Sequence, residues 1–167
     1  MTSTQTRLQY IKNVLGIKSI IIPEGYQPKA RIFSQNPMEF AFQTFNNGQV
    51  LFLSSFAEEK DKNFSVEELQ LLEKIIVALK LKFEKTDIAK VKHASKSQLA
   101  LDLKSKNYSY VFLLGETISS LFQRKNQFEE CGVNFFATFH PQDMIQNPDL
   151  KKEAWNGFKV IMENLPR

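Results

Sequence analysis

The chain has little of what disulfide and metal chemistry requires. Its 167 residues include one cysteine, Cys131, and two histidines, His93 and His140. A single cysteine excludes an internal disulfide and a thiolate-held cluster, and it fits a reducing compartment. Two histidines without cysteine partners give no reason to expect a dedicated metal site. No apolar run approaches the roughly 20 residues that a membrane-spanning helix needs. Thr2 to Arg7 is polar, without the apolar stretch of a secretory leader. No membrane association is expected, and the expected location is the cytoplasm. Tryptophan occurs once against fifteen phenylalanines, so the core should be built on phenylalanine. Hydrophobic residues at 43% and charged residues at 24% are ordinary for a globular protein, and the length suits a single domain over residues 1–167.

The net charge is +4, and it is unevenly spread. Between Lys80 and Lys106 stand eight lysines, at 80, 82, 85, 90, 92, 96, 104 and 106, against Glu84, Asp87 and Asp102. A polyanion such as DNA, held weakly and with salt sensitivity, is one partner that suits this excess. A solvated lysine-rich surface is the other reading.

Hydrophobic spacing places the elements. Arg7 to Gly16 reads as a helix with Leu8, Ile11 and Leu15 on one face, and Ile17 to Ile22 as an extended segment ended by Pro23. Glu24 to Met38 reads as a loop. Phe40 to Phe45 alternates weakly, and Asn46-Asn47-Gly48 suggests a hairpin turn into the next strand. Val50 to Leu53 is a continuous apolar run, as expected of a strand covered on both faces. Ser65-Val66-Glu67-Glu68 is a capping box, and Leu69, Leu72, Ile76 and Leu79 form the stripe of the helix it opens, with Leu71, Ile75 and Ala78 beside it. A strand over Asp87–Val91, a helix over Ser95–Leu103, a strand over Tyr108–Leu114, a helix over Thr117–Phe122 and a strand over Gly132–Phe139 follow. A last helix from Leu150 to about Leu165 buries Leu150, Ala154, Phe158, Ile161 and Leu165. From residue 49 onward strand and helix alternate, which predicts an α/β protein: a three-layer α/β/α sandwich around a four-stranded, mainly parallel sheet. Ligands of such sheets bind at the carboxyl ends of the strands. The last of these ends carries His140-Pro141, a titratable imidazole where the chain leaves the sheet.

The segment Gly132-Val133-Asn134-Phe135-Phe136-Ala137-Thr138-Phe139-His140-Pro141, followed by Asn147-Pro148-Asp149-Leu150-Lys151-Lys152-Glu153-Ala154-Trp155, resembles the C-terminal motif of the uracil-DNA glycosylase superfamily, most nearly its bacterial and archaeal iron–sulfur type. Val111-Phe112-Leu113-Leu114-Gly115-Glu116-Thr117 resembles that family's strand ending in Leu-Gly-x-Thr, and Phe64 to Leu81 resembles its first long helix. The likeness covers about residues 49 to 165. Residues 1–48 are expected to form a divergent N-terminal helix and extended segment. The resemblance implies a four-stranded parallel sheet between helices and a protein that extrudes uracil from DNA and hydrolyses its glycosidic bond. It casts His140 as the group that stabilises charge on the uracil oxygen, and Phe64 as the aromatic that stacks on the base. Lys90, Lys92, His93 and Gly115 are the remaining candidates for contact with nucleic acid or base. Trp155 is expected to be structural.

The chain also departs from that pattern. The family's Gly-Glu-x-Pro-Gly type loop, whose acid or amide positions the attacking water, is replaced by Leu53-Ser54-Ser55-Phe56-Ala57-Glu58-Glu59, with Ser55 where the catalytic residue belongs. No uracil-reading asparagine follows Asp87–His93, and the four cluster cysteines are missing, so no cofactor is expected. Three functions are compatible with this: a degenerate, non-catalytic glycosylase-fold protein that binds nucleic acid or a replication or repair protein; a divergent active glycosylase; and an accessory subunit similar to the clamp-loader psi subunit. The last rests on Arg7 to Ile17, which resembles psi's partner-docking segment through Leu15-Gly16-Ile17. Glu58 and Glu59 are the carboxylates nearest in sequence to the lost acid.

Overall fold

Strand β2 (Val50–Ser55) alternates between two cores. Val50 and Phe52 point to one face of the sheet, Leu51 and Leu53 to the other, and all four are buried. A strand covered on both faces has no use for polar residues, which is why this run reads as continuously apolar. The computed structural model describes residues 38–122 and 126–165. The expected N-terminal helix, the Ile17–Ile22 strand and most of the loop after it lie outside the described residues.

Six strands form one mixed sheet in the order β1-β3-β2-β4-β6-β5. They are β1 (Glu39–Thr44), β2, β3 (Thr86–Lys92), β4 (Tyr110–Leu114), β5 (Gln127–Glu130) and β6 (Val133–Thr138). The central four, β3-β2-β4-β6, run parallel, whereas β1 pairs antiparallel with β3 and β5 antiparallel with β6. The expected four-stranded sheet is therefore the middle of a six-stranded one.

Helices α1 (Val66–Ala78), α4 (Pro141–Gln146) and α5 (Pro148–Ile161) cover one face, through Leu72, Ile76, Met144, Ala154, Phe158 and Ile161 against Phe52, Phe112 and Phe136. Helix α2 (Lys96–Ser105) and the short α3 (Glu116–Ser119) cover the other, through Leu99, Leu103 and Ile118 against Leu53, Leu113 and Phe135. Phe52 and Phe112 stack at 4.5 Å in the first core, and Phe128, Phe135 and Phe122 stack at 4.7 to 4.9 Å in the second. Trp155 packs edge-on against Phe158 at 6.5 Å. The capping box of α1 is formed, with the Glu68 amide donating to Ser65 Oγ and the Ser65 amide to Glu68 Oε2. Of the residues expected beside the α1 stripe, Ile75 is buried and Ala78 is exposed. No helix among the described residues is long and apolar enough to cross a membrane.

Two local expectations differ from what is found. Asn46-Asn47-Gly48 connects β1 to β2, but the two strands do not pair, and β3 lies between them. The connection docks on β3 instead: the Asn46 and Gly48 amides donate to the buried Asp87 carboxylate at 2.6 and 3.3 Å, and Tyr108 Oη donates to it at 2.6 Å. Gly48 is required there, since a Cβ would lie 2.0 Å from the Lys85 carbonyl oxygen. The second difference is the hairpin β5–β6, which hydrophobic spacing missed. Its two-residue turn is Cys131-Gly132, with φ of 55° and 78°, the left-handed pair that suits a tight hairpin.

Candidate functional site

At the carboxyl ends of β2, β3, β4 and β6 the loops surround an open cleft of about 1130 Å³. Ser55, Phe64, Lys90, His93, Gly115 and His140 all line it, so six of the seven residues singled out from sequence meet in one place. Lys92 does not line it, and its ammonium sits 5.8 Å from the centre of the Phe56 ring.

His140 is the N-cap of α4. Its Nδ1 accepts the Gln142 amide at 3.2 Å. A ring nitrogen that accepts carries no proton, so the proton of the neutral ring is on Nε2. Burial pushes the His140 pKa below its ordinary value, and Lys90 lowers it further, while Glu68 and Asp143 oppose the shift. The neutral form therefore dominates at pH 7, and the 3.5 Å approach of Nδ1 to Glu68 Oε1 is not an ion pair. The Phe64 ring stacks on the imidazole at 6.0 Å and 18°, and Phe64 belongs at the same time to the buried core. Gly115, with φ of 97°, closes the other side. A Cβ there would come within 3.3 Å of His140 Cβ, so both the backbone angle and the close approach call for glycine.

Lys90 is not a surface lysine. It is 6% exposed, and its ammonium donates to the carbonyls of Asp61 and Asn63 at 2.9 and 3.1 Å while lying 4.5 Å from the Phe64 ring centre. It clamps the loop after β2 onto β3. Burial lowers its pKa, against the opposing charges of Glu68 and Asp61. His93 is exposed and adopts φ of 57°.

Ser55 is half-buried at the end of β2, and its hydroxyl has no hydrogen-bond partner among the described residues. Its neighbour Ser54 donates across to the Leu114 carbonyl at 3.1 Å. Glu58 and Glu59 are exposed, pair with Lys60 and Lys62, and do not line the cleft. The carboxylates that do are Asp61, Glu67, Glu68, Glu116 and Asp143, with Lys60 and Lys90 as the lining cations. Sequence reasoning missed Glu68 as a cleft residue because the capping box already explained it. Asp143 was missed because α4 was not foreseen, although Pro141 directly after a residue able to cap is a helix-start signal. Among the described residues no cluster of histidine, cysteine and carboxylates could hold a metal ion.

A scan against protein-family models gives no match, and a search of curated proteins gives none. The likeness to the glycosylases therefore rests on the residues quoted above.

Proposed function

We propose that this chain is a non-catalytic relative of the uracil-DNA glycosylases that binds nucleic acid. The observation that carries the non-catalytic part of this reading is the make-up of the cleft. The His-Pro histidine, the aromatic before the first long helix and the glycine after β4 meet around it. The last position of β2 holds a serine whose hydroxyl has no hydrogen-bonded base among the described residues to activate it. A neutral imidazole that keeps a proton on Nε2 suits hydrogen bonding to a carbonyl oxygen. Hydrolysis needs a positioned water as well, and general-base assistance is worth about 10²–10⁴-fold. The lysine excess between Lys80 and Lys106 supplies the attraction for phosphates.

The active alternative draws on Glu68 and Asp143. Glu68 is buried, and its Oε2 is occupied by the Ser65 amide, which makes it a poor candidate for carrying a water to a sugar carbon. The psi-like alternative draws on residues outside those described. Two measurements test the proposal. Uracil release from a single-stranded oligonucleotide should stay at background and be unchanged in His140→Ala. Fluorescence anisotropy should show DNA binding that weakens steeply with salt. Release well above background that disappears in His140→Ala overturns the non-catalytic reading. Absence of binding at about 50 mM salt overturns the nucleic-acid reading.

A further inference from the structure

The cleft and the segments that lead into β3 and β4 differ in charge. The cleft at the carboxyl ends is lined by five carboxylates against two lysines, a poor environment for a phosphate chain. The lysines expected to attract one are mostly elsewhere. Lys82 and Lys85 lie in the short segment before β3, Lys104 is in the last turn of α2 and Lys106 caps it, shortly before β4. Val50, Thr86 and Tyr110 are level in the sheet, so these segments lie together at the amino ends of the strands. Lys80, Lys82, Lys85 and Lys104 are exposed there, with Glu84 and Asp102 as the acids of the same two segments, while the Lys106 ammonium lies 5.7 Å from the Phe40 ring centre. Strand β3 runs seven residues from this end to the cleft, which is about 20 Å at 3.3 Å per residue.

The same end carries two exposed aromatic rings. Phe45 is 57% exposed and Phe83 is 39% exposed, and they are the only phenylalanines among the exposed large hydrophobic residues of the described chain. Strand β1 runs antiparallel to β3, so its end delivers Phe45 to the start of β3. Asn46 Nδ2 then donates to the Phe83 carbonyl at 3.1 Å, which ties the two positions together. Phe45 leans edge-on against Phe42 at 4.8 Å, whereas Phe83 stacks on no other ring among the described residues. Aromatic rings left open among lysines are what single-stranded nucleic acid requires: bases stack on the rings and phosphates meet the ammonium groups. A duplex keeps its bases stacked inside and gains only the phosphate contacts.

From this we infer that the chain holds single-stranded nucleic acid at the amino ends of its strands, with bases stacked on Phe83 and Phe45 and phosphates on the surrounding lysines, on the end of the sheet opposite the His140 cleft. The inference rests on the nucleic-acid reading above and adds the place, the strandedness and the contacts.

The test is anisotropy with the full chain and a fluorescent oligothymidine at about 50 mM salt, beside a duplex of the same length. Phe83→Ala should lose at least about five-fold in affinity for the single strand, the lower range for one base–aromatic stack, and little for the duplex. Lys82→Glu with Lys85→Glu should weaken binding to both, and by more than Lys151→Glu with Lys152→Glu. The latter is an equal charge change on the exposed face of α5, so it controls for net charge. Thermal melts confirm that each variant is folded. Three phosphate contacts predict a roughly twenty-fold loss of single-strand affinity between 50 and 200 mM salt. Binding that is unchanged in Phe83→Ala, or as weakened by the α5 pair as by the Lys82 and Lys85 pair, overturns the placement while leaving nucleic-acid binding intact. No binding by the native chain at low salt overturns both, and directs attention to a protein partner for the exposed rings.

Discussion

Two buried carboxylates, Asp87 and Glu68, are held very differently. Asp87 is fully buried at the amino end of β3 and receives three donors: the Asn46 and Gly48 amides and the Tyr108 hydroxyl. Glu68, 6% exposed beside the cleft, receives one, the Ser65 amide on Oε2, while its Oε1 faces a His140 nitrogen that already accepts a bond. The first arrangement locks the β1–β2 connection to the sheet and raises the Tyr108 pKa, through burial and the Asp87 carboxylate. The second leaves acceptor capacity unused in a place that opens to solvent. A satisfied buried charge is structure, and removing it costs the desolvation of every group left behind. A half-satisfied one is found where something else is expected to bind or titrate.

Substitutions sharpen that contrast. Asp87→Ala should be the most damaging, because it strands two backbone amides and a hydroxyl at once. A loss of about 3 kcal/mol or more in urea unfolding is expected from 1–3 kcal/mol per unsatisfied buried group, and a loss under 1 kcal/mol would show that the cluster is not holding the connection. Tyr108→Phe should cost less, about 1.5–3 kcal/mol, the range for a hydrogen bond to a charged group. Lys90→Met keeps the apolar stem and removes the clamp on the Asp61 and Asn63 carbonyls. It should cost about 1–2 kcal/mol and speed amide exchange through residues 56–63, with little change elsewhere.

The smallest effects belong to the cleft pair. Glu68→Gln retains the capping box, so stability should change by less than about 1 kcal/mol. His140 should nonetheless titrate lower, because the carboxylate that raises its pKa is gone. NMR of the His140 ring across pH measures this. The sign of the pH effect follows. The folded-state pKa of His140 lies below its unfolded value of about 6.5, so between the two the unfolded chain binds the extra proton. The stability contribution is complete above about pH 6.5 and is lost as pH falls towards the folded pKa. The melting temperature of the native chain should fall more steeply from pH 7 to 5 than that of His140→Asn, whose side chain can still cap α4.

The hairpin Phe128 to Phe135 shows how a signal can be present and still be passed over. The Phe128 and Phe135 rings stack at 4.9 Å across β5 and β6, on either side of Cys131-Gly132. In the sequence the only trace is a Cys-Gly pair after two glutamates, and the weakly apolar Gln127–Glu130 does not look like a strand because it is an edge with one covered face. Phe40 to Phe45 was legible as extended through its weak alternation, yet its partner was not. A turn reads the same whether its arms pair with each other or admit a third strand between them.

What the sequence by itself determined here is local. The apolar runs of β2, β4 and β6, the Ser65–Glu68 capping box and the stripe of α5 depend on neighbours within one or two turns of chain, so their spacing is sufficient to place them. The His140-Pro141 strand exit was legible on the same ground. What tertiary structure alone decided depends on partners far apart in the chain. Asp87 reached 41 residues back to the Asn46 amide and so turned an apparent hairpin into an edge strand. Lys90 reached 29 residues back to the Asp61 carbonyl and so became a buried clamp instead of one more surface charge. Each buried charge had to find donors or acceptors somewhere, because leaving it unpaired is costly. The groups that satisfied it were fixed by the order of strands in the sheet, which no short-range pattern records.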